Sequence, residues 1–200
     1  MKIVLASRNA KKIAEVRRIL AEFPALSGIE VLSLDDVGIF GEIEEDGTTF
    51  EENALIKARA ASKALGLPAL ADDSGLCVDA LNGAPGVYSA RYCGYHGSDK
   101  ENRDLLLKNM QGIENRKANF TSAIALVYPD GTELLAEGHT YGKILLEEQG
   151  EGGFGYDCIF ESEDLGKSFG VATAEEKNSV SHRFRALQGL LHKWKEYEGV

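Results

Sequence analysis

The sequence predicts an α/β fold, because short apolar segments of strand character alternate along the chain with segments whose apolar residues recur at helical spacing. With 200 residues and 44% hydrophobic content, the chain can bury a full core as one domain, or as one domain with a small lobe. No internal repeat or low-complexity linker interrupts it. We therefore expect residues 1–200 to form a single domain.

The chain opens with a predicted strand, a loop and a helix. Lys2 to Ala6 is a short, largely apolar run that is typical of a buried strand. The helix after it is indicated by apolar residues at helical spacing, namely Ile13, Val16, Ile19, Leu20 and Phe23. A second strand-like run, Ile29 to Leu32, leads into a long acidic loop from Asp35 to Gly47.

A second helix is predicted to begin after Thr49, which is a good N-cap, and Glu52 is expected to complete a capping box. Gly66 and Pro68 end this helix. The elements predicted beyond it are strands at 68–71 and 76–81 around a turn at 72–75, a helix at 99–110, a hairpin of 118–128 and 132–137 around 129–131, a glycine-rich loop at 150–157, and a C-terminal helix from about Ser181.

The net charge excludes one broad class of function. The chain carries 32 acidic and 22 basic residues, for a formal charge of -10. Such a surface is unsuited to tracking nucleic acid through phosphate neutralisation. A phosphate ligand would therefore need a local basic pocket, a divalent cation, or both.

Cysteine use and hydropathy indicate a protein of the cytoplasm. Cys77, Cys93 and Cys158 are odd in number and lack metal-ligand spacing, so we expect buried, reduced thiols. No targeting segment opens the chain, and no apolar run approaches the ~18 residues of a membrane span. We expect no contact with membranes.

The segment Ser7, Arg8, Asn9, Ala10, Lys11 and Lys12 lies between the first strand and the first helix. Unpaired backbone N–H groups, the positive end of the helix, a hydroxyl group and a lysine converge there, which favours phosphate binding. The segment lacks the glycine and lysine pattern of a Walker A loop. The plainer alternative is that Ser7 or Asn9 caps a helix whose lysines are solvated.

Lys57 is the next candidate. On a helical wheel it falls beside Phe50, Ala54 and Ala61, at the edge of the apolar stripe of the second helix. It either passes the rim of the core to reach water or supplies positive charge to a pocket.

Two acidic clusters could hold a metal ion or a water molecule. Asp72 and Asp73 are adjacent at the end of a predicted strand, where alternation points them in opposite directions, so one of them can face a given site. The acidic loop adds Glu42, Glu44, Glu45 and Asp46. A pair of carboxylates that meets triphosphate oxygens is a usual way to hold Mg²⁺. Each cluster alone could equally be a turn or a solvated face.

Two later segments could bind a nucleoside. In Phe154, Gly155, Tyr156 and Asp157 an aromatic ring lies in a glycine-rich loop, where it could stack on a base or merely plug the loop onto the core. The final segment is locally basic through Lys177, His182, Arg183 and Arg185. The plainer alternative is a solvated helix N-terminus, although cations at the start of a helix oppose its dipole and so favour some other role.

Taken together, these segments closely resemble the inosine triphosphate pyrophosphatase family, the pyrophosphatases of non-standard purine nucleoside triphosphates. The matching stretches run in order from residue 7 to residue 183 and cover nearly the whole chain. They are Ser7-x-Asn9-x-x-Lys12, Asp46 to Phe50 and on to Lys57-Ala58-Arg59, Ala71 to Leu76, Gly83 to Arg91, Gly152 to Asp157, Glu176-Lys177 and Ser181-His182-Arg183. Ser7 stands where many relatives carry Thr, which keeps the hydroxyl group.

The resemblance implies an elongated mixed α/β fold of two lobes around a central nucleotide-binding cleft, usually a homodimer, that hydrolyses ITP, dITP and XTP to the monophosphate and pyrophosphate with Mg²⁺. It implies that Asp73 is the general base and a metal ligand. The family's other metal-linked glutamate falls at Glu44 or Glu45, and the motif leaves that choice open. The phosphates would be held by Ser7 to Lys12, Lys57 and Ser74, and the nucleoside and base by Phe154 to Asp157, Lys177, His182 and Arg183.

The chemistry of these residue types agrees with that expectation. Attack at the α-phosphorus needs a positioned water, a carboxylate to deprotonate it and cations to absorb charge. No side chain looks like an activated covalent nucleophile, so direct attack by water is favoured. Two alternatives stay open: a pyrophosphatase for pyrimidine or modified nucleotides, and a nucleotide sensor that binds without turnover.

Overall fold

The computed structural model describes residues 1–24, 28–39, 41, 43–96 and 98–198. Within these residues, seven strands form one mixed sheet in the order β2-β1-β3-β4-β5-β6-β7, and five α-helices accompany it. The strands are β1 Lys2–Leu5, β2 Glu30–Ser33, β3 Ala69–Val78, β4 Lys117–Val127, β5 Glu133–Ile144, β6 Phe160–Ser162 and β7 Lys167–Ser168. The helices are α1 Ala10–Ala21, α2 Phe50–Leu65, α3 Asp99–Asn109, α4 Ala174–Val180 and α5 His182–Glu198. The α/β class predicted from the sequence is confirmed.

Strand β1 lies between β2 and β3 and is parallel to both. Val4 is in register with Leu32 on one side and with Ala69 on the other. Because β1 is short, apolar and flanked by strands, its backbone polar groups are satisfied within the sheet. At the other end of the sheet, β6 pairs antiparallel with β5 and with β7.

The chain divides into two compact units. The first comprises Met1–Asp73, Ser122–Gly138 and Arg183–Val200, and the second comprises Ser74–Thr121 and His139–His182. Strands β3, β4 and β5 each contribute residues to both.

The first unit buries both faces of its sheet. Alternation along β1 sends Ile3 and Leu5 to a cluster that includes residues of α1 and α5. It sends Val4 and Ala6 to the opposite face, where small residues of α2 pack closely, namely Ala54, Ala58 and Ala61. The carboxyl end of β1 is therefore held rigidly between two layers of helices, and the segment after it begins from a fixed point.

The second unit has its own core, built from one end of β3, one side of α3 and the segments around β6. Its buried members include Leu76, Leu106, Phe120, Phe160 and Phe169. Phe120 packs edge-on against Phe160, with ring centroids 4.7 Å apart, a geometry that aromatic pairs prefer.

Helix α2 begins and ends where the sequence predicts. The Thr49 hydroxyl accepts from the Glu52 N–H, and Gly66 adopts the left-handed conformation that closes the helix. The predicted capping box does not form, because the Glu52 carboxylate accepts from the N–H and the hydroxyl of Thr48 instead.

Strand β3 corrects a second expectation. The sequence predicts a turn at residues 72–75 between two short strands, whereas the structure has one continuous strand from Ala69 to Val78. Asp72 and Asp73 are buried within it. The sequence pattern of charged residues indicates a turn, but here each carboxylate is paired with a cation, so the strand continues.

Several smaller points agree with expectation. The hairpin turn closes through the Tyr128 N–H on the Thr132 carbonyl. All three cysteines are free thiols, as expected, but only Cys158 is buried, and Cys77 and Cys93 are half-buried. In the described part of the chain, no helix combines the length and apolar content needed to cross a membrane.

Candidate active site

Asp73 is the central carboxylate of the first unit. It is buried, and its Oδ2 accepts a hydrogen bond of 3.1 Å from the Asn53 amide. The Lys57 Nζ lies 3.6 Å from its other oxygen, Oδ1. Burial raises the pKa of Asp73, with a further rise from the negative charge of Glu45, and these effects outweigh the opposing lysines. A carboxylate with a raised pKa is a better proton acceptor than an exposed one.

Glu45 lies in the same cluster, and its neighbour Glu44 does not. The Glu45 Oε2 is 3.4 Å from the Lys57 Nζ, and the side chain is half-buried. Glu44 is exposed. The geometry therefore favours Glu45 as the second carboxylate of the site, where the sequence leaves the two open. Glu42 lies outside the described residues.

Asn53 ties the acidic loop to Asp73. Its side-chain carbonyl accepts from the Gly47 N–H at 2.9 Å, while its amide donates to Asp73. A Cβ at Gly47 would lie 2.6 Å from the Asn53 Oδ1, so a side chain there would force the two apart. Asn53 is one helical turn before Lys57 on α2, which places both on the face that meets β3.

Asp72 points away from Asp73, as alternation predicts. Its Oδ2 accepts from the Nε and the Nη2 of Arg183, each at 3.1 Å, and lies 3.5 Å from the Lys12 Nζ. Burial alone would raise the pKa of Asp72, but Lys12, Arg183 and Lys57 together hold it well below its ordinary value. Asp72 is therefore ionised and serves as an anchor for two cations.

Arg183 is among the most deeply buried side chains, with 1% of its surface exposed. Besides Asp72 it contacts Glu15, with its Nη1 2.8 Å from the Glu15 Oε2. The guanidinium thus joins β3, α1 and α5. Sequence reasoning predicts a base-reading role for Arg183, but its contacts in the first unit are those of a residue that positions Asp72.

Lys12 and Lys57 bring two positive charges to Asp72 and Asp73 in the middle of β3. Besides its ionic partners, Lys57 donates at 2.7 Å to the Asp72 carbonyl. Burial lowers the pKa of Lys12, an effect that Asp72 opposes. Both ammonium groups are paired with carboxylates of the same cluster, so the lysines expected for a phosphate site are present but their charge is balanced.

The polar side chains at Ser7, Arg8 and Asn9, just before α1, make hydrogen bonds to backbone groups. Asn9 is the N-cap of α1, and its side chain accepts from the N–H groups of Lys11 and Lys12, while the Ser7 hydroxyl accepts from the Asn9 N–H. Arg8 reaches the acidic loop and donates to the carbonyls of Ile39 and Gly41. Ala10 begins the helix, and Ala10 and Lys11 are exposed. Asn9 thus caps the helix, as in the plainer alternative, but Lys12 is not solvated as that alternative requires, because its ammonium group pairs with Asp72.

In the second unit, Phe154, Asp157 and Lys177 form a compact group. The Asp157 Oδ2 accepts from the Phe154 N–H at 2.9 Å and from the Lys177 Nζ at 2.7 Å. The same ammonium lies 4.7 Å from the centre of the Phe154 ring, a cation–π distance. Asp157 and Lys177 are buried, whereas Phe154 is half-buried, so the ring is the accessible member.

Two glycines of this loop are required because other atoms lie too close to their Cα atoms to leave room for a side chain. At Gly153, where φ is +71°, an added Cβ would lie 2.1 Å from the Asp157 carboxylate. At Gly150 a Cβ would lie 2.2 Å from the Gly170 carbonyl. Both positions exclude a side chain, and the loop can therefore wrap around Asp157.

The other predicted residues of the second unit differ in exposure. Tyr156 is 5% exposed in the core, and its hydroxyl donates to the Ser89 carbonyl at 2.7 Å. His182 is buried and stacks on Phe120, with centroids 5.1 Å apart. Ser74 is half-buried in β3, and Gly155 is half-buried in the loop. Tyr156 is thus an anchor of the loop in this structure.

The carboxylates of the first unit fit a magnesium ion. Glu45 and Asp73 both lie within 4 Å of the single ammonium group of Lys57, so one cation can be shared between them. Among residues 1–24, 28–39, 41, 43–96 and 98–198, no group of three or more potential metal ligands is found. Mg²⁺ commonly takes one or two carboxylates and completes its shell with water and substrate phosphates.

Sequence reasoning missed Asn53 and Glu15. Each is a polar residue on the buried side of its helix, at the spacing of a functional lysine: Asn53 four residues before Lys57, and Glu15 three residues after Lys12. That spacing was a usable signal, because i, i+3 and i, i+4 positions share a helix face.

Comparison with known proteins gives a consistent result. The model of the Ham1 family matches residues 3–193. The dITP/XTP pyrophosphatase of Nocardia farcinica is 50% identical over 192 residues, covering 95% of this chain and 93% of that protein. The dITP/XTP pyrophosphatase of Mycobacteroides abscessus is 51% identical over 193 residues, covering 96% and 93%.

Solved structures agree in fold. The Ham1 protein of Staphylococcus aureus superposes with a TM-score of 0.86 at 39% identity, covering 99% of this chain and 100% of that one. The nucleoside-triphosphatase, or dITP/XTP pyrophosphatase, of Mycobacterium abscessus has a TM-score of 0.77 at 51% identity, covering 96% and 99%. The names of these relatives agree with the family that the sequence motifs resemble. The chain therefore belongs to the Ham1 family.

Proposed function

We propose that this protein hydrolyses non-standard purine nucleoside triphosphates, namely ITP, dITP and XTP, to the monophosphate and pyrophosphate. This reaction would remove deaminated purines from the nucleotide pool. The observation that carries the proposal is the buried carboxylate of Asp73, whose pKa is raised, set between Asn53, Lys57 and Glu45. The names of the relatives support the substrate class.

Asp73 is the general base in this proposal. A water oxygen attacks the α-phosphorus, the bond from that phosphorus to the α–β bridging oxygen breaks, and pyrophosphate leaves. The Asp73 Oδ1 accepts the proton of the attacking water, while Asn53 fixes the carboxylate through Oδ2. Because burial raises the pKa of Asp73, its proton affinity is better matched to this task than that of an exposed aspartate.

Lys12 and Lys57 bind the triphosphate. Their ammonium groups offset the negative charge that the phosphates bring to an acidic protein, and Lys12 lies in the first turn of α1, whose N-terminal end favours anions. Asp72 and Arg183 do not touch the substrate in this scheme. They hold Lys12 in place through the buried ion pairs.

Glu45 and Asp73 are the proposed ligands of Mg²⁺. The ion, when bound, supplies positive charge to the reacting and leaving phosphates. Lys57, which both carboxylates contact in the free protein, is then available to a phosphate oxygen.

In the second unit, Phe154 is proposed to stack on the purine, with the Lys177 ammonium and a ring N–H of His182 as donors to the 6-oxo group of hypoxanthine or xanthine. Adenine carries an amino group at that position, so donors would face a donor. Where such a site is desolvated, the mismatch discriminates by up to ~10⁴-fold.

We also propose that the protein acts in the cytoplasm as a homodimer. The three free thiols suit a reducing compartment, and the dimer follows from the family resemblance. Light scattering coupled to size-exclusion chromatography measures the molar mass: a value of twice the chain mass supports the dimer, and a value equal to the chain mass contradicts it.

A pyrophosphate-release assay over ITP, dITP, XTP, GTP, ATP, dTTP and UTP tests the activity. We expect the three non-standard purine nucleotides to be turned over fastest. Faster turnover of dTTP or UTP would favour a pyrimidine pyrophosphatase. Binding of these nucleotides without release of pyrophosphate would favour a sensor.

A further inference from the structure

The backbone N–H and the backbone carbonyl of Gly155 are both hydrogen-bonded by one helix. The Gly155 N–H donates to the Asp99 Oδ2 at 2.8 Å, and the Gly155 carbonyl accepts from the Arg103 Nη1 at 2.9 Å. Asp99 and Arg103 are four residues apart on α3, so they share one face. We call this pair of contacts the Gly155 clamp.

Arg103 also fixes the chain before the glycine-rich loop. Its Nε donates to the Glu148 Oε1 at 2.8 Å, and its side chain is 16% exposed. The same guanidinium therefore holds residues on both sides of the turns at Gly150 to Gly153. An arginine is suited to this task because its donors keep a fixed angle to one another.

Helix α3 is itself held firmly. Asn102, which is buried, donates to the Ala90 carbonyl at 3.2 Å and accepts from the Cys93 N–H at 2.8 Å. The neighbouring Ser89 carbonyl accepts the hydroxyl of Tyr156. The motif from Gly83 to Arg91, to which the proposed function gives no role, thus supports both α3 and the end of the loop.

Gly155 needs such support because it has no side chain of its own. Its φ is +60°, and nothing lies within 4 Å of a Cβ built there. The glycine is thus required by conformation rather than by packing, and its peptide contacts fix its place. The position of Phe154, one residue earlier, is fixed by the backbone contacts of Gly155 and by the hydrogen bond from the Phe154 N–H to Asp157.

We propose that Asp99 and Arg103 are positioning residues for base selection, which act by holding the Gly155 peptide and thereby the Phe154 ring. This inference rests on the proposed function in one respect, namely that Phe154 contacts the base. Neither side chain touches substrate in it. The clamp belongs to the second unit, whereas the groups that act on the phosphates belong to the first.

The test measures kcat and KM for dITP and dATP in the parent, Asp99→Ala and Arg103→Ala. Losing one hydrogen bond of this kind should raise KM for dITP about five- to tenfold. It should lower the dITP-to-dATP ratio of kcat/KM by a similar factor and change kcat less than twofold.

Two further variants separate positioning from general damage. Asp99→Asn keeps an oxygen acceptor for the Gly155 N–H and should restore the KM and the ratio. Lys100→Ala is the matched control, because Lys100 lies on the same helix and its ammonium pairs with Asp104 on an exposed face. It should behave as the parent. The Gly155 amide should exchange with solvent faster in Asp99→Ala than in the parent, which reports the clamp without catalysis.

The outcomes are distinguishable from failure of the proposed function. If the parent releases no pyrophosphate from dITP, the proposed function fails. If the parent is active but Asp99→Ala and Arg103→Ala both keep the parental KM and ratio, the positioning role is wrong. A loss of kcat equal for dITP and dATP, with no change in their ratio, would also overturn it.

Discussion

Asp72 and Asp73 are adjacent in β3, yet their pKa values move in opposite directions. Burial raises both, but at Asp72 the cations Lys12, Arg183 and Lys57 outweigh it, whereas at Asp73 they do not. Strand alternation causes the difference, because it turns one carboxylate toward Arg183 and the other toward Glu45 and Asn53. Asp72 is thus a fixed negative anchor, and Asp73 is the carboxylate to which we assign the role of proton acceptor.

The first prediction concerns catalysis at Asp73. Asp73→Asn removes the proton acceptor and should lower kcat for dITP by ~10²-fold or more, the usual scale for loss of a general base. Circular dichroism should show an unchanged fold. Steady-state pyrophosphate release measures the effect, and a variant with near-parental kcat would remove Asp73 from the mechanism.

The second prediction concerns stability and pH at Asp72. The folded-state pKa of Asp72 is depressed, so its contribution is present above the unfolded-state value of about 4 and is lost as the pH falls below it. Asp72→Asn leaves Arg183 and Lys12 short of a buried partner and should cost about 3–5 kcal/mol at pH 7. Urea unfolding at pH 7 and pH 3 should show a smaller cost at pH 3.

Asp73→Asn should behave in the opposite way. The folded-state pKa of Asp73 is raised, so ionised Asp73 opposes folding above that value and has no such cost below the ordinary pKa. The variant should therefore equal or exceed the parent in stability at pH 8 in EDTA, and the gain should shrink by pH 4. A loss of stability that is larger at pH 8 than at pH 4 would contradict the raised pKa.

The third prediction separates Glu45 from Glu44. EDTA should abolish hydrolysis and added Mg²⁺ should restore it, because the two carboxylates repel a triphosphate unless a divalent cation lies between them. Glu45→Gln should raise the Mg²⁺ concentration for half-maximal activity about tenfold or more, by loss of one ligand. Glu44→Gln, at an exposed position, is the matched control. Equal effects of the two substitutions would count against Glu45 as the ligand.

The fourth prediction concerns the base. Lys177→Met and His182→Ala remove proposed donors to the 6-oxo group, so each should lower kcat/KM for ITP and XTP more than for ATP. GTP keeps the 6-oxo group, and its rejection depends on the 2-amino group, so we expect weaker discrimination against it. If both variants lose activity equally toward all four nucleotides, these residues do not read the base.

The secondary-structure elements that carry Lys12 and Lys57 were predicted well from the sequence. Apolar periodicity placed β1, α1 and α2, and the cap residues Asn9 and Thr49 lie where the helices begin. These features depend on local chemistry. A capping residue needs a neighbour three positions away, and that neighbour is visible in the sequence.

Features that depend on distant partners could not be predicted in the same way. Asp72 reads as a turn residue until Arg183, 111 positions later, is known to contact it. The choice of Glu45 over Glu44 likewise depends on the position of Lys57 on another element. The strand at Asp72 and the choice of Glu45 both depend on tertiary ion pairs, which cannot be predicted from the spacing of residues along the chain.

The most direct measurement follows oxygen during hydrolysis of dITP in water enriched in ¹⁸O. Attack of water at the α-phosphorus, with Asp73 taking its proton, predicts one ¹⁸O atom in the dIMP product and none in pyrophosphate, both resolved by mass spectrometry. The same label pattern at a rate reduced ~10²-fold is expected for Asp73→Asn. Label in the pyrophosphate would contradict attack at the α-phosphorus, and orthophosphate as the first product would contradict cleavage between the α and β phosphates.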